Sequence, residues 1–162
     1  AIKAGKKINL EDNNADHIEV NLRLPALIPD DYLPDVQSRL MLYKRIAGAA
    51  NSHELRELQV EMIDRFGLLP NQVKNLFRCA EIRLHAAALG LSKVEASNQG
   101  GRVEFGDDTQ VHPLNIVKLV QSAPASYQLD GANALKFREP LDEPTQRFEF
   151  IEALLVKLEA KH

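Results

Sequence analysis

The chain has 162 residues, of which 44% are apolar and 27% charged, and this size and composition are typical of one globular domain. Its net charge of −3 gives no basic field of the kind that draws proteins to nucleic acid, so composition argues against a DNA-binding module. No apolar run could cross a bilayer, and a single cysteine, Cys79, excludes an internal disulfide, so we expect a cytoplasmic protein.

The first segment of the chain predicts a linker followed by a strand. Residues 1–15 are polar and follow no helical or strand period, so we expect a linker there and one domain over residues 16–162. From His17 the residues alternate between polar and apolar, which predicts a half-buried strand. Its predicted inward residues are Ile18, Val20, Leu22 and Leu24.

A first helix is predicted from about Pro34 to Ala47. Pro34 suits a first helical turn, and Asp35 favours the positive end of the helix dipole. Gly48 is expected to end the helix. The helical period predicts a core-facing stripe of Val36, Leu40, Tyr43 and Ala47.

A second helix is predicted from about Ser52 to Phe66. Asn51, followed three residues later by Glu54, resembles a capping box, and Gly67 is expected to close the helix. At 100° per residue, one side carries Leu55, Leu58, Met62 and Phe66. An adjoining side carries a row of carboxylates, which we call the acidic row: Glu54, Glu57, Glu61 and Asp64.

A third helix should follow from Pro70 to about Leu89, with Gly90 as its cap. Its predicted inward residues are Val73, Leu76, Phe77, Ala80, Leu84 and Ala87. Three successive helices make a helical block in the first half of the chain.

The second half alternates short strands with helices. Turn residues predict two hairpins, whose strands are 91–96 with 101–105 and 127–129 with 134–137. A helix over 112–122 is predicted with apolar residues Leu114, Val117, Leu119 and Val120. A last helix, from about Glu143 or Pro144 to Glu159, carries Phe148, Ile151, Leu155 and Leu158 on one face.

These elements predict a helix-rich α+β domain. It should contain an N-terminal three-helix block and a small, mainly antiparallel sheet built from hairpins, which are too small to be stable unless they pack on helices. The pattern leaves the order of the strands open.

Three unusual sequence motifs occur in order in the first half: PALIPDDYLPD from Pro25, RLMLYKRIA from Arg39 and EMIDRFGLLP from Glu61. Together they resemble the C-terminal regulatory domain of bacterial transcription-repair coupling factors (Mfd). The resemblance continues, more weakly, through the segments GGRVEF and LDGANALKF. The last helix is its least distinctive part.

The resemblance implies a function in binding and control. These factors are large ATP-driven DNA translocases that act on RNA polymerase stalled at template damage and recruit nucleotide-excision proteins. Their C-terminal domain docks on an N-terminal module similar to the excision protein UvrB. Docking masks the surface that binds UvrA and restrains the motor.

By resemblance, this chain is therefore expected to be a non-catalytic autoinhibitory domain. Its partner would be the UvrB-like module of the same polypeptide, and it would affect UvrA and RNA polymerase only indirectly. ATP and Mg would belong to the parent motor, and residues 1–15 would link the domain to the translocase region. No cofactor, direct DNA contact or membrane contact is expected for the domain itself.

The acidic row supplies the candidate partner-binding residues. Carboxylates along one helix side suit the arginines of a partner, because each guanidinium can bind a carboxylate through two hydrogen bonds. The predicted contacts are Glu57, Glu61 and Asp64, with Glu54 as a further candidate. The alternative is a solvated helix face whose local partners are Arg56 and Arg65, and the sequence leaves both open.

Two other classes of function stay as alternatives. The chain could be a nucleic-acid-binding accessory module of the same motor, which salt-dependent binding would reveal. A stand-alone enzyme would need a nucleophile, a base and an orienting group, and no such arrangement can be read. The histidines are far apart in sequence and form no cluster of ligands, so no metal site is predicted.

Overall fold

The computed structural model describes residues 18–161, so the predicted linker and the start of the first strand lie outside the described residues. The described residues form five strands and five helices. In chain order these are β1 (Glu19–Asn21), α1 (Val36–Ala47), α2 (Ser52–Phe66), α3 (Asn71–Leu89), β2 (Leu91–Ser97), β3 (Gly100–Phe105), α4 (Pro113–Ser122), β4 (Tyr127–Leu129), β5 (Ala134–Arg138) and α5 (Pro144–Glu159).

The described chain divides into two compact units. Unit one holds residues 24–84, and unit two holds residues 18–23 together with residues 85–161. The boundary falls within α3, after Leu84. The predicted class is confirmed, because the three-helix block and the small, mainly antiparallel sheet are both present.

The helices of unit one begin and end at the residues that local chemistry favours. The carboxylate of Asp35 accepts a hydrogen bond from the Ser38 N–H at 2.9 Å, and the Asn51 side chain accepts one from the Glu54 N–H at 2.9 Å. Asp35 is thus the cap of α1, so Pro34 lies just before the helix and outside its first turn. Gly67, with φ of +99°, ends α2.

The core of unit one is apolar and draws on all three helices. The predicted residues of α2 are confirmed, with Leu55, Leu58 and Met62 buried and Phe66 packed against them. On α3, Val73, Phe77 and Ala80 are buried, whereas Leu76, Leu84 and Ala87 are half-buried. The loop before α1 adds Ile28 and Leu33.

The predicted core stripe of α1 is wrong at three of its four residues, and only Tyr43 of the four packs against the core. Val36 and Leu40 are 57% and 56% exposed, Ala47 is exposed, and the residues that enter the core are Leu42 and Ile46. The cause is that α1 carries apolar residues on two faces, so its period does not decide which face is buried. Tyr43 lies at the margin, where its hydroxyl accepts a hydrogen bond from the Ile28 N–H at 2.7 Å.

Unit two is built on a five-stranded sheet with the order β1-β2-β3-β5-β4. The β1–β2 pair is parallel and the others are antiparallel. The apolar face of the sheet packs against α5, where the Phe150 ring lies 4.8 Å from the Phe137 ring and 6.4 Å from the Tyr127 ring, between centroids.

The helices of unit two bury both apolar and polar residues. The α5 stripe is confirmed, since Phe148, Ile151, Leu155 and Leu158 are all buried. The α4 stripe is only partly right. Leu119 is buried and Val120 half-buried, but Leu114 and Val117 are exposed. Asn115 is buried instead, and its amide donates to the backbone carbonyls of Leu158 and Ala160 at 2.9 and 2.7 Å.

Arg147 at the start of α5 is the second buried polar residue of this unit. Its guanidinium donates four hydrogen bonds, all to backbone carbonyls: Leu141, Leu22, Arg23 and Asp142, at 2.7, 3.2, 2.8 and 3.2 Å. Arg23 has a φ of 52°, in the left-handed region that non-glycine residues seldom adopt. Arg147 therefore fixes the chain where it leaves β1. No described helix could span a membrane.

Candidate partner-binding groove on the helical unit

A groove of about 590 Å³ lies between α1 and α2 in unit one. We call it the α1–α2 groove. Its lining combines apolar, basic and acidic side chains: Met41, Ala49 and Leu58 with Gly48, then Lys44 and Arg45, then Glu54, Glu57 and Glu61. Three of the four residues of the acidic row are thereby brought together on one wall.

Glu61 is held by two arginines of the same unit. Arg45 on α1 binds it through both nitrogens of its fork, at 2.7 and 2.8 Å, and Arg65 one turn further along α2 lies 3.2 Å away. The hydrogen bonds from Arg45 are the main cause that lowers the pKa of Glu61 from 4.5 to about 2, and Arg65 acts in the same direction. Glu61 is therefore ionised and locally neutralised at neutral pH.

Glu57 and Glu54 are not bound by arginines and have other partners. Glu57 lies 3.2 Å from the His53 imidazole, and both side chains are largely exposed. This contact is an ion pair only when His53 is protonated. The Glu54 carboxylate accepts a hydrogen bond from the Ala50 N–H at 2.6 Å, so it serves the start of α2.

Asp64 stands apart from the other three acids. It is exposed and is not among the residues that line the α1–α2 groove. Within the described residues it takes part in none of the ion pairs found on α2, which engage Glu57 and Glu61. Asp64 and Glu57 are therefore the carboxylates of the row that a partner could bind without displacing an arginine or the Ala50 N–H.

The pairing of Arg45 with Glu61 is the feature that sequence reasoning missed. The two residues are 16 positions apart on different helices, so no local spacing signals their contact. Arg65, a local partner expected from the i, i+4 spacing, does bind Glu61. The exposure of Val36, Leu40 and Met41 on α1 likewise has no sequence signal, because the helical period does not decide which apolar face of this helix is buried.

Metal binding and nucleophilic chemistry were considered for the described residues. Residues 18–161 contain no cluster of three or more histidine, cysteine, aspartate or glutamate side chains able to hold a metal ion. Burial raises the pKa of the Cys79 thiol from 9.0 to about 11, although Arg83 acts in the opposite direction. The thiol is therefore protonated at neutral pH and is a poor nucleophile.

Comparison with known proteins places this chain in a family. The TRCF domain matches residues 22–116, which is more than half of the chain. The chain belongs to the TRCF domain family. This match confirms the resemblance to transcription-repair coupling factors that the three sequence motifs indicate.

Curated relatives and a solved structure agree with this assignment of the TRCF domain. The transcription-repair-coupling factor of Escherichia coli (strain K12) is 44% identical over 159 residues, or 98% of this chain. That of Haemophilus influenzae is 44% identical over 155 residues, or 96% of this chain. The chain spans 14% of the length of each of these two relatives.

The fold of the TRCF domain is also found in a solved protein. The crystal structure of a C-terminal domain of transcription-repair coupling factor superposes with a TM-score of 0.71 and 24% identity. The match covers 90% of this chain and 96% of that one. At this identity the similarity shows a shared fold.

Proposed function

We propose that this chain is a non-catalytic autoinhibitory domain of a transcription-repair coupling factor. It docks in cis on the UvrB-like module of the same polypeptide, masks UvrA binding and restrains the ATP-driven DNA translocase during nucleotide-excision repair in the cytoplasm. The motor, with its ATP and Mg, lies elsewhere in the longer protein. Membership of the TRCF domain family supports the assignment to a transcription-repair coupling factor. The α1–α2 groove supports docking on a protein partner.

The observation that carries the proposal is the composition of the α1–α2 groove. Carboxylates of α2 line one wall, and Met41 adds an exposed apolar side chain of α1. Interfaces combine such features, because an apolar anchor contributes binding energy while charged groups around it select the partner. A partner that presents arginines beside an apolar side chain would match this lining.

The ion pairs within unit one support a choice among the acids of the row. An arginine arriving at Glu61 would have to displace Arg45, which already binds both carboxylate oxygens. Glu57 and Asp64 carry no such competitor, so they are the proposed contacts. Each exposed ion pair contributes little binding free energy. Docking that depends on a few such pairs can therefore be reversed by a competing binding event.

A titration in trans tests the proposal. The purified chain is added to the separately expressed UvrB-like module, and the dissociation constant is measured by calorimetry at low and at high salt. We expect binding that weakens as salt rises, and the double variant Glu57→Arg with Asp64→Arg should bind about tenfold more weakly or worse. Glu61→Gln should change affinity less, because that carboxylate is already paired.

A matched control is available in unit two. Glu149 is exposed on α5 and does not line the α1–α2 groove, so Glu149→Arg makes the charge change of either single substitution and should leave affinity unchanged. Failure of the unmodified chain to bind the module would contradict docking itself. Unchanged binding by the double variant would retain docking but exclude Glu57 and Asp64 as its contacts.

A further inference from the structure

The outward face of the unit-two sheet carries charged residues from every central strand. On β2, Lys93 lies 3.6 Å from the Glu19 carboxylate and 3.7 Å from that of Glu95. On β3, Arg102 lies 2.9 Å from the carboxylate of Asp130. These two cations therefore have acidic partners within the unit.

Lys136 and Arg138 on β5 differ from the other two cations. They are exposed and two residues apart, so they share the outward face, and neither takes part in any of the ion pairs found among the described residues of unit two. Lys136 lies opposite Gln128 on β4, and Arg138 lies opposite Gly100 on β3, which has no side chain.

The glycine opposite Arg138 is required by the sheet. A Cβ at Gly100, whose φ is +138°, would collide with the backbone of Phe137. Gly100 therefore places no side chain beside Arg138. A groove of about 340 Å³ adjoins both cations, and it is lined in part by Pro124, Ser126 and Gln128. Two unpaired cations beside neutral polar groups favour a ligand that carries carboxylates.

The neighbouring strand β4 is an edge of the sheet with backbone groups that β5 does not use. The Ser126 carbonyl accepts from the Arg138 N–H at 2.7 Å, and the Asp130 N–H donates to the Ala134 carbonyl at 2.9 Å. Because antiparallel pairing alternates, the N–H and C=O of Leu129 and the C=O of Tyr127 point away from β5.

Leu129 also offers an apolar contact at this edge. Its side chain belongs to the apolar face, yet it is 55% exposed because no strand lies beyond β4. In a strand added next to β4, every second side chain would lie beside Leu129 on the apolar face. The side chains between them would lie on the outward face, which carries Lys136 and Arg138. These outward side chains would start about 10 Å from β5, which is two strand spacings and within the combined reach of a glutamate and a lysine or arginine.

We propose that the edge of β4 binds an extended protein segment in which acidic and apolar residues alternate. The segment pairs with β4 as a sixth strand, its carboxylates bind Lys136 and Arg138, and its apolar side chains pack beside Leu129. Nucleic acid would not use the backbone groups of the edge, whereas an extended peptide pairs with them. This site is separate from the α1–α2 groove and does not depend on the function proposed for it.

The test uses the 162-residue chain and a synthetic probe. The probe is an end-capped, fluorescently labelled octapeptide of alternating glutamate and valine, and binding is followed by anisotropy at low salt and by amide chemical shifts. We expect a dissociation constant in the micromolar range, with shifts concentrated in β4 and β5. Lys136→Glu with Arg138→Glu should weaken binding at least tenfold.

One further variant tests the edge of β4, and another controls for the change of charge. Leu129→Pro removes both an N–H that points away from β5 and the apolar side chain of the site, so it should weaken binding several-fold while leaving the β4–β5 pairing intact. Lys118→Glu with Lys157→Glu reverses two exposed charges on α4 and α5 and should leave affinity unchanged.

Several outcomes would overturn the proposal. They are no binding at millimolar peptide, equal binding by the Lys136→Glu/Arg138→Glu variant, and equal binding of an isomeric peptide whose glutamates form one block. Tighter binding of a single-stranded twelve-nucleotide DNA than of the peptide would assign the two cations to phosphate instead.

Discussion

Replacing Arg147 by methionine is expected to destabilise the protein, because the change leaves carbonyl oxygens without donors. Methionine is of similar length but donates no hydrogen bond, so all four carbonyls bound by Arg147 lose that contact. Arg23 and Asp142 are exposed, so water can bind their carbonyls, but Leu22 and Leu141 are buried. The loss therefore falls mainly on two oxygens.

The size of the effect follows from those two oxygens. Each buried acceptor left unpaired costs about 1–3 kcal/mol, so two cost about 2–6 kcal/mol. Removing a buried guanidinium, which is only 9% exposed, also removes its desolvation cost and offsets part of the loss. We therefore expect Arg147→Met to lower the free energy of unfolding by about 2–4 kcal/mol.

Urea unfolding with linear extrapolation measures this change, and Lys157→Met provides the control on the same helix. Lys157 is exposed, so its replacement should change stability by no more than about 0.5 kcal/mol. Amide exchange should also become faster at Val20 and Asn21, since Arg147 fixes the chain just after them. An Arg147→Met variant within about 0.5 kcal/mol of the unmodified protein would show that these hydrogen bonds do not stabilise the fold.

Three further predictions concern unit one. Leu42→Ala should cost about 2–5 kcal/mol in urea unfolding and Leu40→Ala about 0.5 kcal/mol or less, and equal costs would contradict the placement of α1. Because the folded pKa of Glu61 is about 2 against an ordinary 4.5, its ionised form stabilises the fold above about pH 4.5 and that contribution is lost as pH falls toward 2. The stability difference between the unmodified protein and Glu61→Gln should shrink over that window, and a constant difference would argue against the ion pair. Cys79 should react with iodoacetamide at pH 7.5 much more slowly than free cysteine, whereas a comparable rate would show an accessible thiolate.

The accuracy of sequence reasoning depended on whether a helix has one apolar face or two. On α2 the apolar residues Leu55, Leu58 and Met62 form one stripe, so the period identified the core correctly. On α1 the same reasoning selected Leu40 in place of Leu42, because both faces carry apolar residues and only packing decides between them. Turn residues located both hairpins, yet strand order required the structure.

Buried polar residues and contacts between helices could not be predicted in this way. Arg147 lies beside Phe148 in a pattern that assigns charged residues to the surface, and two of its four acceptors, the carbonyls of Leu22 and Arg23, are 125 and 124 positions away. The acidic row was visible in the sequence, but its electrostatics were not, since the pairing of Glu61 with Arg45 depends on how two helices pack. This pairing changes which acids are available to a partner.

Mapping the docking surface residue by residue tests whether the chain binds the UvrB-like module through the α1–α2 groove. A ¹⁵N-labelled chain is titrated with the unlabelled UvrB-like module while the backbone amide shifts are followed. We expect shifts concentrated along the α1–α2 groove and around Glu57 and Asp64, with the outward face of the unit-two sheet unchanged. Shifts confined to that sheet, with the amides of α1 and α2 unmoved, would exclude docking through this groove.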